Sequence, residues 1–428
     1  MEMVYTTSVS EPQLATVKLQ VLQLAHQSNF GAVYVSNKLP VACDYKTYEL
    51  VAGIGCKQKL SLPSGQVFAS LQSFAASEWI FGYLGYDCKN EIENLTSQNK
   101  GQVVTDEAVF FIPETIIEVF PNGQVCITGH NPQLIWEQLL SIVPPVASSF
   151  RMDGSLSAVM NKKDYLAKVA RVLYHIKVGD VYELNLCQEF YGLVKEGDPL
   201  ATFLKLNEVS PMPFAAFLKL DNTYLLGASP ERFLSKTGNK LVSQPIKGTT
   251  RRGKTPQEDK DKKTRLLASE KERAENLMIV DLVRNDLSRS CRPGSVRVEE
   301  LFGVYSFQRV HQMISTVSGE MEKSTPWWEA IKNAFPMGSM TGAPKVMAMQ
   351  LIEQLEWSKR GIYSGAVGYL TPEKDFDFNV VIRSIVYRSD TKKLSFQVGG
   401  AITWDSVAEA EYEECMLKAQ AIRQVLEA

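Results

Sequence analysis

The chain has 428 residues, with 46 Lys and Arg side chains against 48 Asp and Glu, for a net charge of −2. That length can bury a large core, and 45% apolar with 22% charged residues describes a globular chain rather than a disordered one. Balanced charge leaves no electrostatic footprint for nucleic acid, and no apolar run approaches the ~20 residues of a membrane span. The opening Met1-Glu-Met-Val-Tyr-Thr-Thr-Ser lacks the basic-then-apolar order of a signal peptide. Seven cysteines, odd in number and free of any CxxC pair, argue against a disulfide framework or zinc site and for a reducing cytosol. With only four scattered histidines, oxygen ligands are the expected ones for any metal.

Residues 1–145 read as short strands and helices, punctuated by the hairpin turn signal Pro121-Asn122-Gly123. Pro144-Pro145 marks the expected boundary between this region and a second one, 146–428. Asn161 caps a helix, with Asp164 in the first turn and Tyr165, Val169, Val172 and Ile176 as its buried stripe. Gly179-Asp180 ends it and leads into a strand beginning Val181-Tyr-Glu-Leu-Asn. A second helix starts at Thr255-Pro256 and runs past Glu275, a third starts at Gly342-Ala343-Pro344, and the last spans Val407 to Leu426. Strand-like runs begin at Tyr224, Leu241, Val380 and Leu394. Without regular βαβ spacing, this order predicts an α+β fold with mixed, largely antiparallel sheets packed against helices.

Three constellations carry chemistry. Glu411, Glu414 and Lys418 project from one face of the last helix, preceded by Gly399-Gly400, whose bare backbone can approach an anion. Read alone, they are an ordinary i,i+4 surface pair. Glu275 borders the apolar run Leu277-Met-Ile-Val, where a carboxylate needs a basic partner or a metal. One carboxylate from each of two helices is an economical way to hold Mg²⁺ with most of its waters kept. Lys247, in Gln244-Pro-Ile-Lys-Gly-Thr-Thr250, ends an apolar strand and is followed at once by glycine. Alone, such a lysine is usually a surface charge. The basic-rich stretch Arg251–Arg273 reads as a solvated loop and helix face.

Taken in order, Gly227-Ala-Ser-Pro-Glu231, Pro245-Ile-Lys-Gly-Thr249, Ala274-Glu-Asn-Leu-Met-Ile-Val-Asp281, Phe335-Pro-Met-Gly-Ser-Met-Thr341-Gly-Ala-Pro-Lys345, Gly361-Ile-Tyr-Ser-Gly-Ala-Val-Gly368 and Glu411…Glu414…Lys418 resemble the signature of the chorismate-utilising enzymes. The resemblance covers residues 161–428, and Gly82-Tyr-Leu-Gly-Tyr-Asp87 is similar to the N-terminal part of the ammonia-using branch. It implies Mg²⁺ held by Glu275 and Glu414, with Glu411 and Glu272 on the metal's waters. It further implies an enolpyruvyl-carboxylate clamp of Tyr363 and Arg383, and remaining anionic oxygens held by Lys418, Gly399, Gly400 and Thr249. Glu231 stands where the family has its general acid/base. His311, in Val310-His-Gln-Met-Ile-Ser, is similar to a family histidine near the departing C4 oxygen.

Two positions divide the branches. Water-adding members carry a base lysine where this chain has Glu183, and ammonia-using members usually carry glutamine there. Members that form anthranilate read Pro-Ile-Ala-Gly-Thr, whereas Lys247 resembles the branch that aminates chorismate at C4. The resemblance implies that a neutral Lys247 amine, desolvated or beside the metal, attacks C2 before ammonia takes C4. No nucleophilic-cysteine elbow with a downstream histidine is visible, so ammonia is expected from a separate glutamine amidotransferase subunit. The alternatives are an anthranilate-forming enzyme and a non-catalytic binding protein on the same fold; binding alone would not require Lys247. Feedback-sensitive relatives carry Leu-Leu-Glu-Ser, from which Pro40-Val-Ala-Cys-Asp44-Tyr-Lys-Thr-Tyr departs, implying no inhibition by tryptophan.

Overall fold

The computed structural model describes residues 3–39, 48–74, 77–143 and 147–427. The Pro144-Pro145 boundary and nearly all of the tryptophan-linked Pro40–Tyr48 segment lie outside the described residues. Two antiparallel sheets dominate. In the larger, the path runs Met3–Ser8, Gln124–Gly129, Thr115–Val119, Leu50–Ile54, Phe30–Val35, Phe214–Leu220, Thr223–Ser229, Ser384–Arg388, Lys393–Ile402, Glu183–Glu196, Ser157–Ala158. In the smaller it runs Ile246–Arg251, Val310–Glu320, Lys240–Gln244, Arg232–Thr237, Phe376–Val380, Ala366–Leu370, Ile80–Leu84, Ala108–Ile112, Gln58–Leu62. Strands from both sides of position 145 thus share each sheet, so the two sequence regions are interwoven.

An aromatic layer, with Phe30, Phe81, Phe111, Tyr83 and Val367, joins the two sheets, and the Tyr34 hydroxyl crosses it to donate to Gly368 O at 2.8 Å. Helices cover the outer faces. Glu11–Gln27, Lys162–Lys177, Pro199–Val209, Lys345–Leu355 and Ala408–Leu426 pack on the larger sheet, and Val67–Phe74, Glu270–Ser288 and Trp327–Ala334 on the smaller. The α+β expectation holds, as does the hairpin: Thr115–Val119 and Gln124–Gly129 pair around Gly123, at φ 84°.

The first catalytic-region helix, Lys162–Lys177, matches its sequence reading. Asn161 accepts from the Asp164 amide at 3.0 Å, and the buried residues are the four of the predicted stripe. Elsewhere the chain breaks where periodicity gives no warning. The helix expected from Thr255 past Glu275 is two helices, Pro256–Ala268 and Glu270–Ser288, because Ser269 is extended at φ −68°, ψ 113° and caps the second one. The run from Val380 is not one strand either: Phe376–Val380 and Ser384–Arg388 belong to different sheets, separated by Arg383 at φ 53°. Leu241–Ile246 likewise divides at Pro245, which carries no amide hydrogen for the ladder. Arg383, and Ile246 and Lys271 just beyond the other two breaks, line one cleft.

Candidate active site

The cleft opens where the ends of the two sheets meet the first turns of Glu270–Ser288 and Ala408–Leu426. Glu231, Lys247, Thr249, Glu272, Glu275, Tyr363, Arg383, Gly399, Glu411, Glu414 and Lys418 all line it. Residues spread over nearly 190 positions of sequence therefore converge.

Lys247 occupies a bulge, since the register between Ile246–Arg251 and Val310–Glu320 shifts between Ile246 and Thr249. Gly248 makes the bulge possible. Its φ is +93°, and an added Cβ would sit 3.0 Å from Glu272 Oε2. The bulge turns the Lys247 side chain inward, where it is 9% exposed and donates to Glu183 Oε1 at 2.5 Å. Glu183 is wholly buried at the start of Glu183–Glu196, where its backbone is pinned against Ala343. Desolvation of Lys247 is as expected. Burial lowers the pKa of Lys247, but Glu183, Glu275 and Glu231 together outweigh it and hold the pKa above the usual lysine value.

Glu231 sits in the tight connection between Thr223–Ser229 and Arg232–Thr237 and accepts from Ser339 Oγ at 2.6 Å. Burial pushes its carboxyl up to about 7, against the pull of Ser339 and Lys247. Near neutral pH it can therefore give or take a proton, as a general acid/base requires. Ser339 belongs to the Phe335–Lys345 block, so one family motif positions a residue of another.

Arg383 and Tyr363 form the opposite wall. Arg383 makes no ion pair among the described residues, and burial lowers its pKa. An unpaired guanidinium in a cleft is a seat for a carboxylate. Tyr363 Oη lies 3.3 Å from Cys187 Sγ. Behind it, buried Arg360 binds Glu356 and the carbonyls of Met340 and Asn185, tying three cleft-lining segments to one plug.

The carboxylates come from two helices. Glu275 is pushed up to about 7, chiefly by burial and with Glu183 and Glu272 adding to it. Burial also raises Glu272 and Glu411, whereas Lys418, at 2.8 Å, lowers Glu414. Lys271, from the stretch read as solvated, lies 3.8 Å from Glu275 and 3.7 Å from Glu411. Among the described residues, no three His, Cys, Asp or Glu side chains close into a metal cage. The donor set nevertheless fits a hard, water-retaining cation, which needs only one or two carboxylates plus substrate oxygens. Carboxyls held this far up are short of positive charge.

Gly400 and the histidine differ from expectation. Gly399 is needed because a Cβ there would fall 2.3 Å from Leu186 O in the neighbouring strand. Lys418 donates to the Gly399 carbonyl at 2.8 Å, so that oxygen is an acceptor already in use. Gly400 does not itself line the cleft, although a Cβ added there would lie 3.6 Å from Lys418 Nζ. His311 is displaced from the site altogether. Alternation along Val310–Glu320 turns it away, with Nδ1 2.8 Å from Ser306 Oγ and Nε2 3.0 Å from Asp259 Oδ1. Its neighbour Gln312 faces the cleft instead, with a buried Oε1 that has no hydrogen-bond partner among the described residues. Asn185, Lys271, Ser339 and Gln312 are among the lining residues not singled out from sequence. Period-two alternation from Lys247 across the Thr249–Gln312 pairing was the signal for the last.

A cleft pairing an arginine with no ion pair among the described residues and a buried lysine with a carboxylate cluster defines an enzyme-like site for a small, multiply anionic ligand. The chain belongs to the chorismate binding enzyme family, which matches residues 44–424. It is 38% identical to a rice protein named probable aminodeoxychorismate synthase, over 81% of this chain and 43% of that protein. The Escherichia coli K12 aminodeoxychorismate synthase component 1 is 35% identical, over 81% of this chain and 76% of that protein. The chain thus spans less than half of the rice relative's length. A crystal structure of anthranilate synthase component I from Streptococcus pneumoniae shares the fold, with a TM-score of 0.79 over 90% of this chain and 93% of that chain at 24% identity.

Two measurements follow. A carboxyl raised from 4.5 to about 7 on folding binds more protons in the native state, so stability falls as pH rises through that interval and levels above it. Urea unfolding in metal-free buffer should show that fall, and Glu231→Gln, which keeps an acceptor for Ser339, should lessen its slope, leaving the share that Glu275 contributes. An unchanged slope would mean that Glu231 is solvated. Separately, Gln312→Ala should lower kcat/KM by about 10-fold or more, the scale of one lost polar contact. His311→Asn should lower Tm and leave kcat within about twofold. The reverse pattern would return the histidine to the site.

Proposed function

We propose that the chain aminates chorismate at C4 to 4-amino-4-deoxychorismate, acting as the large component of an aminodeoxychorismate synthase. The observation that carries this reading is Lys247, inside the cleft with Glu231, Tyr363 and Arg383. The names of the rice and E. coli relatives support it. Anthranilate formation is the second reading. It would use nearly the same cleft, but it gives no role to a buried lysine where its members read alanine.

Tyr363 and Arg383 bind and orient the enolpyruvyl carboxylate, and Lys418 with the backbone at Gly399 faces the ring carboxylate. Lys247 adds to C2, the ring double bond shifts, and the C4 hydroxyl departs with a proton from Glu231. Ammonia then adds at C4, the double bond shifts back, and the Lys247 amine leaves. Ammonium entering the cleft restores the Glu231 proton as it becomes ammonia, so the sum is chorismate and ammonium to product and water. Glu275 and Glu414 would hold Mg²⁺, with Glu411 and Glu272 bearing on its waters. Bound there, the ion supplies Lewis-acid anchoring of the ring carboxylate and eases hydroxyl departure. A separate glutamine amidotransferase would deliver the ammonia, in keeping with the "component 1" naming of the bacterial relative. The unpaired thiols of the six described cysteines suit a cytosolic location, and among the described residues no helix is long and apolar enough to cross a membrane.

The test is purified chain with chorismate, Mg²⁺ and ammonium chloride, with and without an aminodeoxychorismate lyase. Lyase-dependent 4-aminobenzoate is expected, and lyase-independent anthranilate would sink the reading. Lys247→Ala should cut C4 amination by about 1,000-fold or more, the scale of a lost nucleophile. After chelation, Glu275→Gln should raise the half-saturating Mg²⁺ concentration by about 10-fold or more. Identical titrations of the variant and the parent would remove Glu275 from the metal site.

A further inference from the structure

The buried Lys247–Glu183 pair has a second feature. Glu183 Oε1 accepts from Lys247 at 2.5 Å, while Oε2 is buried with no hydrogen-bond partner among the described residues. Both ends of the carboxylate are out of water, and the backbone of Glu183 is fixed by its pairing with Ala343 and by the Tyr182 amide donating to Ala343 O at 2.7 Å. A glutamine here would also have filled the space and accepted one hydrogen bond. A carboxylate can in addition take a proton. In a site this dry, a charged pair and its neutral counterpart differ by much less than in water, because desolvation penalises both charges.

We infer that Glu183 is a positioning residue that fixes the Lys247 amine and takes its proton once substrate fills the cleft. The inference rests on the reading of the chain as a chorismate-aminating enzyme. In the step it describes, an N–H bond of Lys247 breaks and the proton passes to Glu183 Oε1 along the existing hydrogen bond. The freed nitrogen lone pair forms the bond to C2. When ammonia has added at C4 and the C2–N bond breaks, the amine leaves neutral and recovers its proton from Glu183. No external base is needed, and the pair returns to its resting state each turnover. The other groups acting on Lys247 are Glu275 and Glu272 from Glu270–Ser288, Glu231 from the connection after Thr223–Ser229, and Glu414 from the last helix. Glu231 is already engaged by Ser339, and the three helix carboxylates face the metal region. Glu183 alone is hydrogen-bonded to the amine among the described residues.

The two roles a carboxylate could have here give opposite signs. If Glu183 only holds Lys247 charged, Glu183→Gln lets the lysine deprotonate more easily, and the rising limb of kcat moves to lower pH with activity kept or increased. If Glu183 takes the proton, the same variant loses kcat at every pH. The experiment is the lyase-coupled assay with ammonium chloride, run from pH 6.5 to 9.5 on the parent, Glu183→Gln and Glu183→Asp, with thermal melts alongside. We expect Glu183→Gln to lose about 100-fold in kcat, the scale of general-base catalysis, with KM for chorismate within about threefold. Glu183→Asp, which restores a proton acceptor, should recover about fivefold or more of that loss. A Gln variant with kcat within threefold of the parent, or with a limb moved to lower pH and no loss, overturns the inference. Should the Gln variant fail to fold, the Asp variant decides: a parent-like pH profile with reduced kcat supports the inference, and a limb shifted to lower pH with kcat undiminished refutes it. A parent enzyme that forms no 4-amino-4-deoxychorismate would instead defeat the functional reading itself.

Discussion

Everything in this molecule that bears on chemistry depends on one constraint, the compensation of charge inside a cleft largely withdrawn from water. Isolated ions in such a place would be costly by several kcal/mol each, so every one must find a partner or change its protonation state. Both solutions are present. Lys247 pairs with Glu183, and Lys418 with Glu414. Glu231 and Glu275, less well matched, are pushed up to about 7. Arg383 makes no ion pair among the described residues and leaves the cleft locally unbalanced. Imbalance in both directions, an unpaired guanidinium on one wall and undercompensated carboxylates on the other, is what a ligand carrying anions together with a cation would relieve. The overall near-neutrality of the chain conceals this separation.

The fold exists to bring those groups together from distant positions. Neither sheet alone holds the site, because Lys247 and Gln312 belong to the smaller one while Asn185 and Gly399 belong to the larger. The places where regular structure stops are the places where it meets the cleft. Ser269 breaks a helix so that Lys271, Glu272 and Glu275 form the first turns of a new one. Arg383 breaks a strand at φ 53°, a conformation disfavoured for a residue with a Cβ and held here by the surrounding strands. Arg360, buried and hydrogen-bonded to four groups, locks the segments that carry Asn185 and Met340.

How far this was legible in sequence depends on the range of the interaction involved. Local signals were reliable: the Asn161 cap, the four-residue stripe behind it and the turn at Gly123 are decided within a few residues. The family motifs located most of the cleft, because each motif is the short segment that meets the ligand. What remained hidden was decided by tertiary context. Periodicity continues smoothly through Ser269 and Val381, so it reports apolar burial but not the change of direction. The histidine was lost for a finer reason. In a strand, one position decides which face a side chain occupies, and the motif around Val310 was read one residue out of phase with the cleft. Hydrophobic alternation there is masked because both faces of Val310–Glu320 are buried, leaving no polar face to set the phase.

The same tertiary logic bears on the unusual carboxylate at 183. A lysine buried at 247 needs a counter-charge, and a carboxylate buried at 183 needs one equally. Either residue alone would leave an uncompensated ion, and truncating one partner of such a pair costs about 3–5 kcal/mol. The two are 64 positions apart in sequence yet joined by one hydrogen bond, so neither can be understood from its own motif. A glutamine at 183 would leave Lys247 to the helix carboxylate Glu275 and to Glu231. Glu183 holds it against the Glu183–Glu196 strand. The side chain that departs from the usual pattern thus fixes where the amine rests, through the one hydrogen bond that joins the two strands.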